Sequence, residues 1–156
     1  TYKAEQIGYK PEIILSGRKL NDGMSKFICD QLINEMEKRE IEIKNSKILF
    51  MGLTFKENCP DIRNTKIVDV IEELKTYGSK VDVFDPWVDI EFVKEVHNIE
   101  VCENIEPKNY DAIVLAVAHD QFKGMKESEI RSLGQPNCIV YDLKYIMNKN
   151  EADLRL

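Results

Sequence analysis

A chain of 156 residues is long enough for one good core, so one domain with an appendage is the expected plan. Its formal net charge of -6, from 28 acidic and 22 basic residues without a basic run, argues against nucleic acid as a partner, and no apolar stretch reaches the length of a membrane span. The start lacks the order of a signal peptide, so a cytoplasmic protein is expected, in which the scattered Cys29, Cys59, Cys102 and Cys138 read as free thiols and not as a zinc or redox motif.

Residues 1 to 9 read as a helical remnant that begins abruptly, so the chain is expected to start within a longer protein. Pro11 then opens a helix running to about Arg39, with Glu12 in its first turn as the helix dipole favours. Its apolar positions, among them Ile13, Leu20, Phe27, Leu32 and Met36, recur at mostly helical intervals. A helix of roughly 30 residues is about 45 Å long, more than a small domain is wide. Its overhanging stripe must therefore be buried on another domain or on a second copy of itself, and Gly17 and Gly23 mark either close approach of such a partner, the favoured reading, or a kink.

Lys47–Met51 is a continuous apolar run of the kind found in strands buried on both faces. After the turn Gly52–Thr65, the residues Ile67, Val70, Ile71 and Leu74 fall at i, i+3, i+4 and i+7 and predict a helix that Gly78 stops. Lys80–Phe84 predicts a second strand ended by Asp85-Pro86, followed by a short helix through Phe92, Val93 and Val96 and a short strand Ile99–Val101. A central strand Tyr110–Val117, a helical segment from Met125 to Leu133 and a last strand Cys138–Asp142 complete the order. This alternation implies an α/β fold, a Rossmann-like doubly wound parallel sheet preceded by a long helix. Residues 1–44 form the helix region and 45–156 the α/β domain.

In such a sheet, ligands bind beyond the carboxyl ends of the strands. The turn after the first strand carries Lys56 and Arg63 just before a helix N-terminus, a geometry suited to anions. Gly52 is its only glycine, so a G-x-G-x-x-G dinucleotide loop is absent and side-chain charge would have to replace backbone contact with phosphate. Lys56 can reach a phosphate as a point charge, although composition alone favours a plain exposed loop lysine. Arg63 offers a planar fork for a pyrophosphate, or equally a salt bridge to Asp61 or Glu57. His119 reads foremost as a capping or structural histidine, Asp85 as an Asp-Pro turn before a ribose acceptor, and Cys59, with no base nearby in sequence, as structural. Lys144 can put a second cation on the same edge. No nucleophile, acid–base pair or metal set is visible.

The run Gly52-Leu53-Thr54-Phe55-Lys56-Glu57-Asn58-Cys59-Pro60-Asp61-Ile62-Arg63-Asn64-Thr65 resembles the signature turn in the C-terminal domain of the UDP-glucose/GDP-mannose dehydrogenase family. The likeness extends over Pro11–Arg18 with Leu20-Asn21-Asp22, over Phe84–Asp89, Ala116–His119 and Tyr141–Tyr145, and over an ending, Asp153–Leu156, that looks like a natural terminus. Within the family it is greatest to the UDP-N-acetylglucosamine 6-dehydrogenases of the Vi-antigen type, which supply uronic acids for surface polysaccharides. The resemblance implies an NAD-dependent oxidation of a sugar C6 alcohol to a carboxylate in two hydride transfers, with a cysteine holding the sugar as thiohemiacetal and then thioester. That cysteine and the glycine-rich NAD domain belong to a part of the family pattern that precedes this chain, which is expected to be inactive by itself. By the same likeness Phe55 and Lys56 contact the UDP-sugar, Lys144 stands where many relatives carry a substrate-binding arginine, Arg63 reaches the NAD pyrophosphate, and the long helix pairs subunits into a homodimer. UDP-N-acetylglucosamine is the expected substrate, with UDP-glucose, UDP-N-acetylmannosamine and GDP-mannose as alternatives within the class. A nucleotide-binding or receiver-like regulatory module is the alternative outside it, and a receiver would need clustered acids where Thr54-Phe55-Lys56 offers a cation.

Overall fold

A computed structural model describes Gln6, Gly8 and residues 12–156. The expected remnant over residues 1 to 9, those two positions aside, and the helix start at Pro11 lie outside the described residues. Helix α1 spans Glu12–Lys38, 27 residues and about 40 Å. Only its second half is built into the domain: Ile28, Cys29, Leu32 and Met36 are buried, whereas Ile13, Ile14, Leu20 and Phe27 are exposed. Nothing lies within 4 Å of where a Cβ would stand on Gly17 or Gly23, so neither is needed for packing within the described chain.

The strands are β1 (Lys47–Met51), β2 (Lys80–Phe84), β3 (Tyr110–Leu115), β4 (Gly134–Asp142) and β5 (Leu154–Arg155). They form one parallel sheet in the order β2-β1-β3-β4-β5. Helices α2 (Ile67–Thr76), α3 (Ile90–His97), α4 (Asp120–Lys123) and α5 (Glu127–Arg131) make the crossovers. Alternate residues of each inner strand point to opposite faces. Ile48, Phe50, Ala112 and Val114 pack with α1 and α2, while Leu49, Met51, Ile113 and Leu115 pack with Phe122 and Ile130 of α4 and α5. Both faces are thereby covered, which is why residues 48–51 of β1 and 112–115 of β3 read as unbroken apolar runs.

Four local expectations need correction. Ile99–Val101 makes only a single parallel bridge, Val83 to Val101, to which the Cys102 N–H contributes its bond to the Val83 carbonyl at 2.8 Å. The third strand stops at Leu115: Ala116 still gives its ladder bond to the Met51 carbonyl, but the Val117 N–H turns to that same carbonyl at 3.3 Å instead of continuing the ladder. The segment 125–133 holds a shorter helix, α5, and is preceded by the separate turn of α4. The last long strand begins at Gly134, and β5 follows it.

Candidate functional site

The strand order reverses at β1 and β3: the chain leaves β1 toward β2 on one side, and β3 lies on the other. Crevices open beyond the strand ends at such a reversal. Here the backbone is drawn tight. Gly52 donates its N–H to the Phe84 carbonyl at 2.8 Å, and Leu143 donates to that of Leu115 at 3.1 Å. Gly52 has φ +101°, and a Cβ on it would stand 2.5 Å from the Cβ of Val117, so the two loops touch through the space a side chain would fill.

Two buried aspartates fasten the loops that follow. The Asp85 carboxylate accepts the N–H groups of Leu53 at 2.7 Å, Thr54 at 3.0 Å and Trp87 at 2.9 Å. It forms the expected Asp-Pro turn and also holds the start of the β1 loop. With His119 Nε2 a further 3.1 Å from Oδ2 and the residue buried, it has no free face for a ribose. Asp142 serves the loop after β4 in the same way, accepting from Lys144, Ile146 and Met147 at 2.9 to 3.1 Å. His119 is fully buried and structural, as its sequence context suggests. Its Nδ1 lies 2.9 Å from the N–H of Asn58, and its ring is flanked by Trp87 and by the edge of Phe122.

Between these anchors Phe55 and Lys56 project outward. Phe55 is 53% exposed, and the Lys56 ammonium sits 5.8 Å from its ring centroid, a cation over an aromatic face. Among the described residues Lys56 pairs with no carboxylate, so its charge is available. Phe55 and Lys144 meet at a pocket of about 240 Å³ lined also by Asn21, Thr65, Lys66 and Leu143. A second hollow of about 490 Å³ adjoins it across Phe55 and adds Asp69 and His97. Both include the start of α2, whose dipole presents its positive end there.

Lys56 and Arg63 line neither hollow. Arg63 is strongly exposed and grips Asp61 with two bonds of 2.9 Å, the salt bridge that its sequence context allowed. Hydrogen bonds from Arg63, first from the side chain and then from the backbone, hold the Asp61 carboxyl down at about 2. The sequence gives no sign of Asn21 or Lys66 at the pocket. Asn21 comes from α1, and Lys66 pairs locally with Asp69 at 3.1 Å and with Asp22 of α1 at 3.2 Å, the second a contact that exists only once α1 lies on α2.

Burial pushes the Cys29 and Cys138 thiols up to about 12 and raises Cys102 as well, while Cys59 is free and half-buried. Among the described residues no group of three or more His, Cys, Asp or Glu is placed to hold a metal, and no helix is long and apolar enough to cross a membrane.

Residues 49–149 match the sequence model of the UDP-glucose/GDP-mannose dehydrogenase family, UDP binding domain. The UDP-N-acetyl-D-glucosamine 6-dehydrogenases of Pseudomonas aeruginosa and Salmonella typhi are 51% and 49% identical over 156 residues, covering 100% of this chain and 37% of each relative. Protein CapL of Staphylococcus aureus is 40% identical over 154 residues. Among solved structures, a UDP-D-ManNAc dehydrogenase from Pyrococcus horikoshii shares the fold with a TM-score of 0.80 at 22% identity, over 97% of this chain and 34% of that one. The chain thus spans little more than a third of the length of its curated relatives. With a family match over most of its length and relatives about half identical to it over the whole chain, the chain belongs to the UDP-glucose/GDP-mannose dehydrogenase family, whose UDP binding domain occupies residues 49–149.

Proposed function

We propose that this chain is the nucleotide-sugar-binding portion of a cytoplasmic NAD-dependent 6-dehydrogenase that oxidises the C6 alcohol of UDP-N-acetylglucosamine to the uronic acid for surface polysaccharide. The observation that carries the reading is the unpaired Lys56 beside the exposed ring of Phe55, at the reversal of strand order and next to a pocket that Lys144 enters. A nucleotide diphosphate needs cations and a helix N-terminus, and a uracil or sugar face needs an aromatic platform. This edge supplies each. The curated relatives that cover the whole chain carry UDP-N-acetyl-D-glucosamine 6-dehydrogenase as their name, which favours that sugar among the alternatives.

NAD, when bound, accepts the hydride. Arg63 fits the pyrophosphate of that cofactor, because its guanidinium stands in solvent with two of its donors committed to Asp61 and a planar fork holds five in all. Residues 45–156 act as the UDP-sugar domain. Residues 1–44 act as a bridging helix region that pairs two subunits through α1, in keeping with the exposed Ile13, Leu20 and Phe27. The catalytic cysteine and the main NAD site belong to the segment that precedes this region in its relatives, and the chain alone is inactive. A receiver-like role lacks support, since the turn after β1 offers Thr54-Phe55-Lys56 where a receiver needs clustered acids.

Steady-state kinetics of the full-length protein test the assignment. Each lost charge-assisted bond is worth about 1.5–3 kcal/mol, so Lys56→Ala raises KM for UDP-N-acetylglucosamine roughly 10- to 100-fold and leaves KM for NAD within about twofold, while Arg63→Ala does the reverse. No turnover of UDP-sugars by the parent, or two silent substitutions, would refute the assignment.

A further inference from the structure

We propose that His119 is a positioning residue for the nucleotide-sugar site, a role that rests on the reading of Phe55 and Lys56 as the UDP-sugar contacts. The hydrogen bonds fix its tautomer. The Asn58 N–H can only donate, so Nδ1, 2.9 Å away, presents its lone pair and the ring proton resides on Nε2. That Nε2–H faces Asp85 Oδ2 at 3.1 Å and Thr54 Oγ1 at 3.2 Å. The Thr54 hydroxyl in turn donates to the Lys56 carbonyl at 2.9 Å, and Asp85 Oδ2 accepts the N–H groups of Leu53 and Thr54.

One buried imidazole therefore joins both ends of the segment 53–58. Its Nε2 side meets the acceptors that anchor Leu53, Thr54 and Lys56, and its Nδ1 side anchors Asn58. The clasp closes again from the other direction, because Asn58 Oδ1 accepts the N–H of Asp120 at 3.1 Å while Asn58 itself sits at φ 55°. Phe55, Lys56 and Glu57, the exposed residues of the segment, stand between these anchors. His119 is fully buried, so it reaches no ligand itself. Its effect passes through the loop.

Two substitutions separate the halves of the ring. His119→Asn keeps an oxygen near the place of Nδ1 and can still accept from Asn58. His119→Gln keeps a donor near the place of Nε2 and leaves the Asn58 N–H without its acceptor. UDP titration of the full chain by calorimetry, with amide exchange of residues 53–58 followed by NMR, gives the test. The expected result is that His119→Gln weakens UDP binding about tenfold or more and speeds exchange at Asn58 by a similar factor, while His119→Asn stays within about threefold of the parent. Should His119→Gln fail to fold, Asn58→Gly opens the clasp from the other side by removing the acceptor of the Asp120 N–H, and a loss of UDP affinity of about threefold or more is expected. UDP affinity and Asn58 exchange unchanged in His119→Gln, or equal losses in both histidine variants without faster exchange, would overturn the positioning role while leaving the UDP site standing. A parent that binds no UDP would overturn the site itself and the role with it.

Discussion

At the scale of single residues, the contact between the β1 and β3 loops depends on a missing side chain. Gly52 combines φ +101° with Val117 atoms at 2.5 to 2.8 Å from any added Cβ, so Gly52→Ala meets backbone strain and overpacking together. We expect it to cost about 3 kcal/mol or more in urea unfolding, and a loss below about 0.5 kcal/mol would contradict that contact. Much of this neighbourhood was legible in the chain. The positions after the strands marked Lys56, Arg63 and Lys144 as candidates for the ligand edge, Phe55 was singled out only by the family likeness, and the turn chemistry of Asp85-Pro86 was readable from two letters. The reach of Asp85 across to Leu53 and Thr54, and of His119 to Asn58, was not, because each joins residues 31 to 61 positions apart. Only the folded sheet brings them together. Arg63 was legible as one of two alternatives, and its proximity to Asp61 in sequence gave the salt bridge its advantage.

Elements with strong periodicity were the readable ones. α2 presents Ile67, Val70, Ile71 and Leu74 on one face, and all four are buried. β5 has two residues and no alternation to detect. What holds it is a hub that sequence does not announce: the Asp153 carboxylate accepts from Arg39 at 2.7 Å, Arg131 at 3.2 Å and the Val140 N–H at 2.8 Å. It thus ties the ends of α1, α5 and β4 to the entry of β5. Burial pushes the Asp153 carboxyl upward, but Arg39, the Val140 N–H and Arg131 together outweigh it and hold the group below its ordinary value of 3.8. A depressed carboxyl stabilises the fold above its unfolded value, and that contribution is lost as pH falls through the folded value. Asp153→Asn should therefore cost about 1–3 kcal/mol at neutral pH, with the gap to the parent narrowing as pH drops below 3.8. Chemical denaturation at a series of pH values checks this, and a gap that stays constant into acid would exclude the carboxylate as its source.

For the whole molecule, the order β2-β1-β3-β4-β5 decides where function can lie, because it puts the reversal at β1 and β3. The exposed Phe55 and Lys56, the start of α2 and the Lys144 loop all lie there. Apolar runs alternating with helical segments were enough to read the layered α/β plan, but the pocket itself also needs Asn21, 45 residues before Lys66 in sequence, and so belongs to the assembled structure. Isothermal titration of UDP into the chain, for the parent and for Phe55→Ala with Lys56→Ala, is the most direct measurement of the site. Saturable one-site binding by the parent that weakens about tenfold or more in the double variant is expected; no binding by the parent, or equal affinity in both, would contradict a UDP-sugar site at the turn after β1.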